Sequence, residues 1–375
     1  MKRRVLYYTG SLASGGAERQ LIYTAIAAKR SGYDVKIAVD YPECHYDSML
    51  QGQGIEILCT NSTRFSPIKR YRVLSGIIRT YKPDILHSFL ATKNLWGMAM
   101  AKLKGVSVKI ASVRNTNAKE FTGIRLYKDW ADKIICNTRL AADIAKKEYG
   151  VPEEKLAVVY NAIDLKRFKE AKPLTDLKSR LGVPGNTILG VTVARFAEQK
   201  NHLGLIRALK ILHQEGLLEN VYYLLVGNPS DRVLFNKIYS EVKNSGLSDK
   251  VTFLGVREDI PDILKTCDFM VLPSFYEGFP NVVLEAMAAG VFVIATPTGG
   301  TPELVEHDIN GLLTKGCEPY AISQSIKGYL LMEDGRKKQK QEAAYAKTMQ
   351  FEQSNIFHKI NEHYNCNPLL LRVRL

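Results

Sequence analysis

Short apolar runs rich in β-branched residues alternate with amphipathic stretches along most of the chain. Runs of strand length separated by helical segments predict parallel strands joined by crossover helices. Strands are expected at 5–9, 35–40, 55–59, 85–89, 108–113, 133–137 and 157–160, with helices near 17–30, 67–81, 92–103 and 138–149. Across 165–186 the pattern lapses into the polar, proline-bearing stretch LKRFKEAKPLTDLKSRLGVPGN, which reads as a boundary. A second strand series follows at 188–195, 222–226, 251–255, 269–272 and 292–295. The segment from about 320 to 349 is helical, basic and rich in Ala, Lys and Gln. The expected fold class is α/β: two Rossmann-like domains, 1–165 and 187–350, facing one another across a cleft. A linker at 166–186 joins them, and 351–375 is a C-terminal helix and tail whose return to the first domain is one option.

The most informative segment is PSFYEGFPNVVLEAMAAG (273–290), which sets Glu277 and Glu285 eight residues apart across a loop-to-helix junction. Pro280 suits a first helical turn, and Gly290 suits the position just past a helix end. The amides of Gly278, Phe279, Asn281 and Val282 then fall at or near a helix N-terminus, which attracts phosphate. Taken alone, a strand, a tight turn and a helix with two incidental acids is an equal reading. In VTVARFAEQKN (191–201), Arg195 ends a strand and Lys200 follows five residues on. Two fixed cations there can hold a diphosphate, although either alone reads as a solvated surface charge. TPTGGTPELVEHDINGLL (296–313) offers a second helix start at Gly300, Thr301 and Glu303, or a plain strand-turn-helix. In the first half, DILHSF (84–89) places His87 near a strand's carboxyl end, as a base, a sugar-hydroxyl partner or a packed residue. Gly15 and Gly16 in GSLASGGAERQ permit close backbone approach, but the spacing is not that of a dinucleotide fingerprint.

Composition narrows these choices. Hydrophobic residues make up 46% and charged residues 24% of the 375, the profile of an ordinary globular protein. The six cysteines are scattered with no C-x-x-C pair, so neither a disulfide framework nor a zinc site is expected. The N-terminus reaches a strand and a glycine too early for a secretory apolar region, which points to a cytoplasmic protein, peripheral at most on the inner face of a membrane. Net charge is +14 and uneven: through Leu165 there are 26 Lys and Arg against 15 Asp and Glu, or +11, and the remainder holds 26 against 23, or +3. An anionic partner of the first half is implied, a membrane surface rather than nucleic acid, since no nucleic-acid motif accompanies the charge. Helix 67–82, with Lys69, Arg70, Arg72, Arg79 and Lys82 among its apolar positions, and the tail LLLRVRL (369–375) are the candidate contacts. Packing of that helix on its own sheet is the better reading of the same pattern. No D-x-D motif occurs, so no metal is expected and Arg195 and Lys200 carry the positive charge.

In order, SGGAERQ, KPDILHSF, VYNAIDLKRF, VARFAEQKN, VTFLGVREDI, the 273–290 segment and the 296–313 segment resemble a GT-B glycosyltransferase of the family-4 type over nearly the whole chain. The resemblance implies no cofactor, a nucleotide sugar as donor, and transfer with retention of anomeric configuration. Arg195 and Lys200 would bind the donor diphosphate, Glu277 the transferred sugar and reacting centre, and Glu285 the ribose. The amides of Gly278, Phe279, Asn281 and Val282 would contact sugar and phosphate, and Gly16 would approach the donor. The expected reaction moves a hexose from a UDP- or GDP-sugar to a saccharide or lipid-linked saccharide in surface-polysaccharide or glycolipid assembly. Phe89 stands where many relatives have a second histidine, and VGNPSD (226–231) where relatives often carry an acidic, glycine-rich turn. The rivals are a nucleotide-sugar epimerase or hydrolase, a non-catalytic sugar-nucleotide-binding subunit, and a nicotinamide-dependent oxidoreductase, the last disfavoured by the missing fingerprint.

Overall fold

The structure, a computed structural model, describes residues 2–62 and 66–365. The chain divides into two compact units, one running to Ala162 and resuming at Phe351, the other spanning Ile163–Gln350. The tail 369–375 lies outside the described residues.

The first unit is built on a parallel seven-stranded sheet: β1 (Arg4–Thr9), β2 (Asp34–Val39), β3 (Glu56–Cys59), β4 (Ile85–Phe89), β5 (Val108–Val113), β6 (Lys133–Cys136) and β7 (Leu156–Val158). Their order is β3-β2-β1-β4-β5-β6-β7, with Val5 opposite both Val35 and Ile85. Because side chains alternate across a strand, the residues of β1 divide between two helical layers. Leu6 and Tyr8 join a core with Leu74 and Ile78 of the helix Pro67–Tyr81 and Met98 of the helix Ala91–Leu103. Tyr7 points the other way, to the helix Gly16–Arg30 through Thr24 O and to Tyr364 of the helix Gln353–Tyr364. The apolar face of Pro67–Tyr81 thus packs on its own sheet, while Ile68 and Tyr71 at its start stay exposed.

The second unit carries a parallel six-stranded sheet: β8 (Ile188–Val193), β9 (Val221–Val226), β10 (Val251–Gly255), β11 (Phe269–Leu272), β12 (Phe292–Ala295) and β13 (Leu312–Leu313), ordered β10-β9-β8-β11-β12-β13. β9, β11 and β12 are buried throughout, as expected of strands covered by helices on both faces. β8 ends at Val193, two residues short of the expected strand, because the chain turns there to form the site described below. The basic segment near 320–349 is two helices, Pro319–Leu330 and Asp334–Thr348. The stretch 166–186 is tied into the second unit: Lys172 N donates to Asp262 Oδ1 (2.7 Å) and Leu174 N to Thr266 Oγ1 (2.8 Å).

Candidate active site

Two loops at the carboxyl end of the second sheet build the site, one after β8 and one after β11. The β11 loop opens at Pro273 and runs through Glu277 to the helix Asn281–Ala288. Pro280 is the cap of that helix rather than its first residue, and its carbonyl accepts from Val283 N at 3.1 Å. Gly290 closes it in the left-handed region, φ +76°, with Val291 N bonded to Ala286 O (2.9 Å).

The two loops are cross-braced. Phe275 N donates to Gln199 O (2.9 Å), and Gln199 Nε2 donates to Tyr276 O (2.6 Å). Asn201, itself in the left-handed region and capping the helix His202–Gln214, donates through Nδ2 to Pro273 O (3.1 Å) and Cys317 O (2.9 Å). That bracing brings Lys200 Nζ to 2.6 Å from Glu277 Oε1, with side chains only 15% and 7% exposed. The second cation, Arg195, stays on the surface, its Nη2 3.5 Å from Gln199 Oε1. Lys200 is therefore not an isolated cation: its charge is answered by the carboxylate 77 positions on. An ammonium has three N–H donors, so one bond to Glu277 leaves two for an anionic ligand. Beside this pair, His202 stacks on Phe196 (centroids 4.6 Å apart) with both ring nitrogens buried and, among the described residues, unpartnered. Burial, and next the charge of Lys200, lower its pKa to about 4, so the ring is neutral at pH 7.

A third loop, after β12, completes the arrangement. Gly300 N donates to Gly278 O (2.6 Å), which pins this loop to the one carrying Glu277. Gly299 has φ +57°, and a Cβ there would lie 1.9 Å from Glu277 O, so only glycine permits the approach. The helix Thr301–Leu304 that follows has four residues, too few for the dipole a phosphate site at its start would need, and Glu303 lies half-buried within it. Phe279 is buried, and Asn281, Val282 and Glu285 are half-buried along the helix after Glu277. Gln199 and Asn201 escaped the sequence reading, since their roles depend on which loop each faces.

Gly16 and His87 belong to the first unit. Gly16 begins the helix Gly16–Arg30, and Gly15 before it is held by Tyr46, whose hydroxyl donates to Gly15 O at 2.7 Å. His87 requires a correction. It does not open onto a crevice: it is 0% exposed, Nδ1 lies 2.8 Å from Tyr364 Oη and Nε2 2.8 Å from Ser112 Oγ. Burial, then the charge of Arg114, push its pKa well below the usual value, so it is a neutral ring locked into the core. Two positions in from the strand's end, its side chain enters the layer between sheet and helices instead of the crevice. Among the described residues, no group of three or more His, Cys, Asp or Glu is placed to hold a metal ion, and no helix is long and apolar enough to cross a membrane.

Residues 175–348 match the sequence family described as Glycosyl transferases group 1, and residues 14–167 match Glycosyltransferase Family 4. The chain is 29% identical over 281 residues to the Escherichia coli UDP-Gal:alpha-D-GlcNAc-diphosphoundecaprenol alpha-1,3-galactosyltransferase, covering 72% of each protein. It superposes on a Rickettsia africae glycosyltransferase with a TM-score of 0.85 and 23% identity, over 97% of this chain and 98% of that one. Against Anabaena HepE in complex with UDP and glucose the TM-score is 0.82 at 22% identity, over 96% and 98% of the two chains.

Proposed function

As a member of the group 1, family-4 glycosyltransferases of GT-B fold, the chain is a sugar-transferring enzyme, and we propose that it moves a hexose from a UDP- or GDP-sugar, with retention and without a metal, to a lipid-linked saccharide. The uridine form is favoured, because the Escherichia coli relative is named for UDP-Gal and the HepE structure holds UDP. The observation that carries the reading is the Lys200–Glu277 pair at the mouth of the helix Asn281–Ala288. The donor diphosphate meets Arg195, the two remaining N–H groups of Lys200 and the outward amides of that helix's first turn. These charges stabilise the departing nucleotide as the glycosidic bond breaks, a role a divalent cation fills elsewhere. Glu277, held by Lys200, accepts hydrogen bonds from the sugar's hydroxyls, and Glu285 one turn or more along accepts from the ribose. In a front-face route the acceptor hydroxyl attacks from the side the phosphate leaves, and a phosphate oxygen takes its proton.

The acceptor class rests on the diphosphate-linked lipid named for the relative and on the basic first half. Contact with an anionic membrane belongs to the same reading. Ile68 (67% exposed) and Tyr71 on the helix Pro67–Tyr81 and Leu103 (68%) at the end of the helix Ala91–Leu103 are exposed, Lys104 Nζ lies 5.9 Å from the Tyr71 ring centroid, and Lys69, Arg72 and Lys102 are exposed on the same two helices. The test supplies UDP- and GDP-hexoses in EDTA, with and without a lipid-linked acceptor fraction. Acceptor-dependent release of one nucleotide, with an unchanged anomeric configuration in the product by NMR, is expected. Release that ignores the acceptor would favour an epimerase or hydrolase, and an inverted product would end the retaining assignment.

A further inference from the structure

Where β5 ends, the first unit buries an arginine whose guanidinium has no carboxylate hydrogen-bonded to it among the described residues. Arg114 is 8% exposed and follows Val113 directly. Its backbone is clamped on both sides: N donates to Glu120 Oε1 (3.0 Å), and O accepts from Asn137 Nδ2 (3.0 Å). The guanidinium lies over Phe89, 4.9 Å from the ring centroid, and Nη1 donates to Asn161 Oδ1 at 3.2 Å. Among the described residues Nε is buried without a partner, and so is Asn137 Oδ1 on the neighbouring strand end. Burial lowers the guanidinium's pKa to about 10, which still leaves it charged at neutral pH. The nearest acid, Glu120, has its carboxyl pushed up to about 7 by burial, so it discharges the arginine only in part.

A buried cation with five N–H donors and one side-chain hydrogen bond is expensive to keep. Packing does not require it, since an apolar residue would cover Phe89 as well. Its address supplies a reason. The strand order reverses between β1 and β4, and open α/β sheets bind ligands outside the carboxyl ends of the strands at that switch point. Arg114 sits one strand along, on the ring that ends β4. Its fork matches two oxygens of a phosphate, and Asn137 Oδ1 suits a hydroxyl of the same ligand.

We propose that Arg114 binds the phosphate group through which the acceptor saccharide is linked to its carrier, and so selects phosphate-linked acceptors over neutral ones. This rests on the transferase reading above. The same phosphate chemistry is present in the nucleotide sugar, and the experiment separates the two sources. Wild type, Arg114→Gln and Arg114→Lys are assayed on a saccharide diphosphate-lipid and on the same saccharide as a neutral alkyl glycoside. Arg114→Gln is expected to raise KM for the phosphate-linked acceptor about tenfold or more, the loss of one charge-assisted contact. Turnover of the neutral glycoside and KM for the donor should stay within about twofold. Arg114→Lys keeps the charge and loses the fork, and an intermediate KM is expected. Equal losses on both acceptors would reduce Arg114 to a packing role, and a rise in donor KM alone would assign the phosphate to the nucleotide; either overturns the proposal. A second readout does not need turnover: calorimetric titration of inorganic diphosphate into an Arg195→Ala, Lys200→Ala background, with and without Arg114→Gln. Binding that vanishes with Arg114→Gln upholds the site even if no sugar is transferred, in which case the transferase reading alone fails. Normal transfer with no dependence on Arg114 leaves that reading intact and removes the site.

Discussion

Beyond the carboxyl end of one strand in each sheet stands a buried or half-buried cation, and the two are handled in opposite ways. In the second unit Lys200 meets Glu277 at 2.6 Å, and the loops carrying them are laced together by Gln199 and Asn201. In the first unit, among the described residues, the Arg114 guanidinium has one side-chain hydrogen bond, to Asn161, and no carboxylate hydrogen-bonded to it. A paired cation is pre-organised and nearly neutral before any ligand arrives, so binding costs it little rearrangement. An unpaired buried cation carries a standing penalty that a ligand relieves. The first arrangement suits a site that must stabilise charge as it develops, the second a site that must choose its partner. His87 is the contrast to both: a third polar group near a strand end, neutral and bonded through both nitrogens, with nothing left to offer a substrate.

The largest stability effect is expected from Gly299→Ala: the new Cβ would strike Glu277 O, and moving it should cost roughly 3 kcal/mol with most of the turnover, read by thermal unfolding and nucleotide release. A normal enzyme would show that the third loop does not position Glu277. Next, His87→Ala strands the Ser112 hydroxyl, takes one of two partners from the Tyr364 hydroxyl and opens a cavity, for an expected loss of about 3 kcal/mol, while kcat per folded molecule stays near wild type. Full stability with lost activity would return His87 to the chemistry. Glu120→Gln tests the electrostatics around Arg114. A carboxyl whose folded pKa is raised from 4.5 to about 7 contributes stability that is complete below pH 4.5 and lost as pH rises through 7. Between pH 5 and 8 wild type should therefore lose on the order of 3 kcal/mol more than the Gln variant, measured by denaturant titration. Parallel curves would mean that Glu120 is ionised throughout. The smallest effect concerns the surface: Ile68→Glu with Leu103→Glu should weaken sedimentation with anionic vesicles several-fold and leave turnover of a water-soluble acceptor unchanged. Unaltered sedimentation would clear that face of membrane contact.

Much of the architecture was legible in the chain. Strand-length runs at 85–89, 108–113, 251–255, 269–272 and 292–295 are strands in the structure; 269–272 and 292–295 are buried throughout and continuously apolar, as fully covered parallel strands require. β13, two residues long, leaves no such signature, and the turn after Val193 reflects the loop's outside partners, not its own composition. Within the site, Lys200 and Glu277 were each legible as candidates, but their pairing spans 77 positions and depends on bracing by Gln199 and Asn201. His87 read as a cleft residue because strand position was visible and facing was not. Arg114 carried no signal at all: an arginine after VKIASV looks like a surface charge until Phe89, Asn137 and Asn161 close around it.

A double-mutant cycle on turnover tests whether Lys200 and Glu277 act as one unit on the donor. Lys200→Ala and Glu277→Ala should each reduce turnover by roughly two orders of magnitude or more, and the double variant should fall little further. Near-normal turnover in either single variant, or losses that simply multiply in the double, would contradict it.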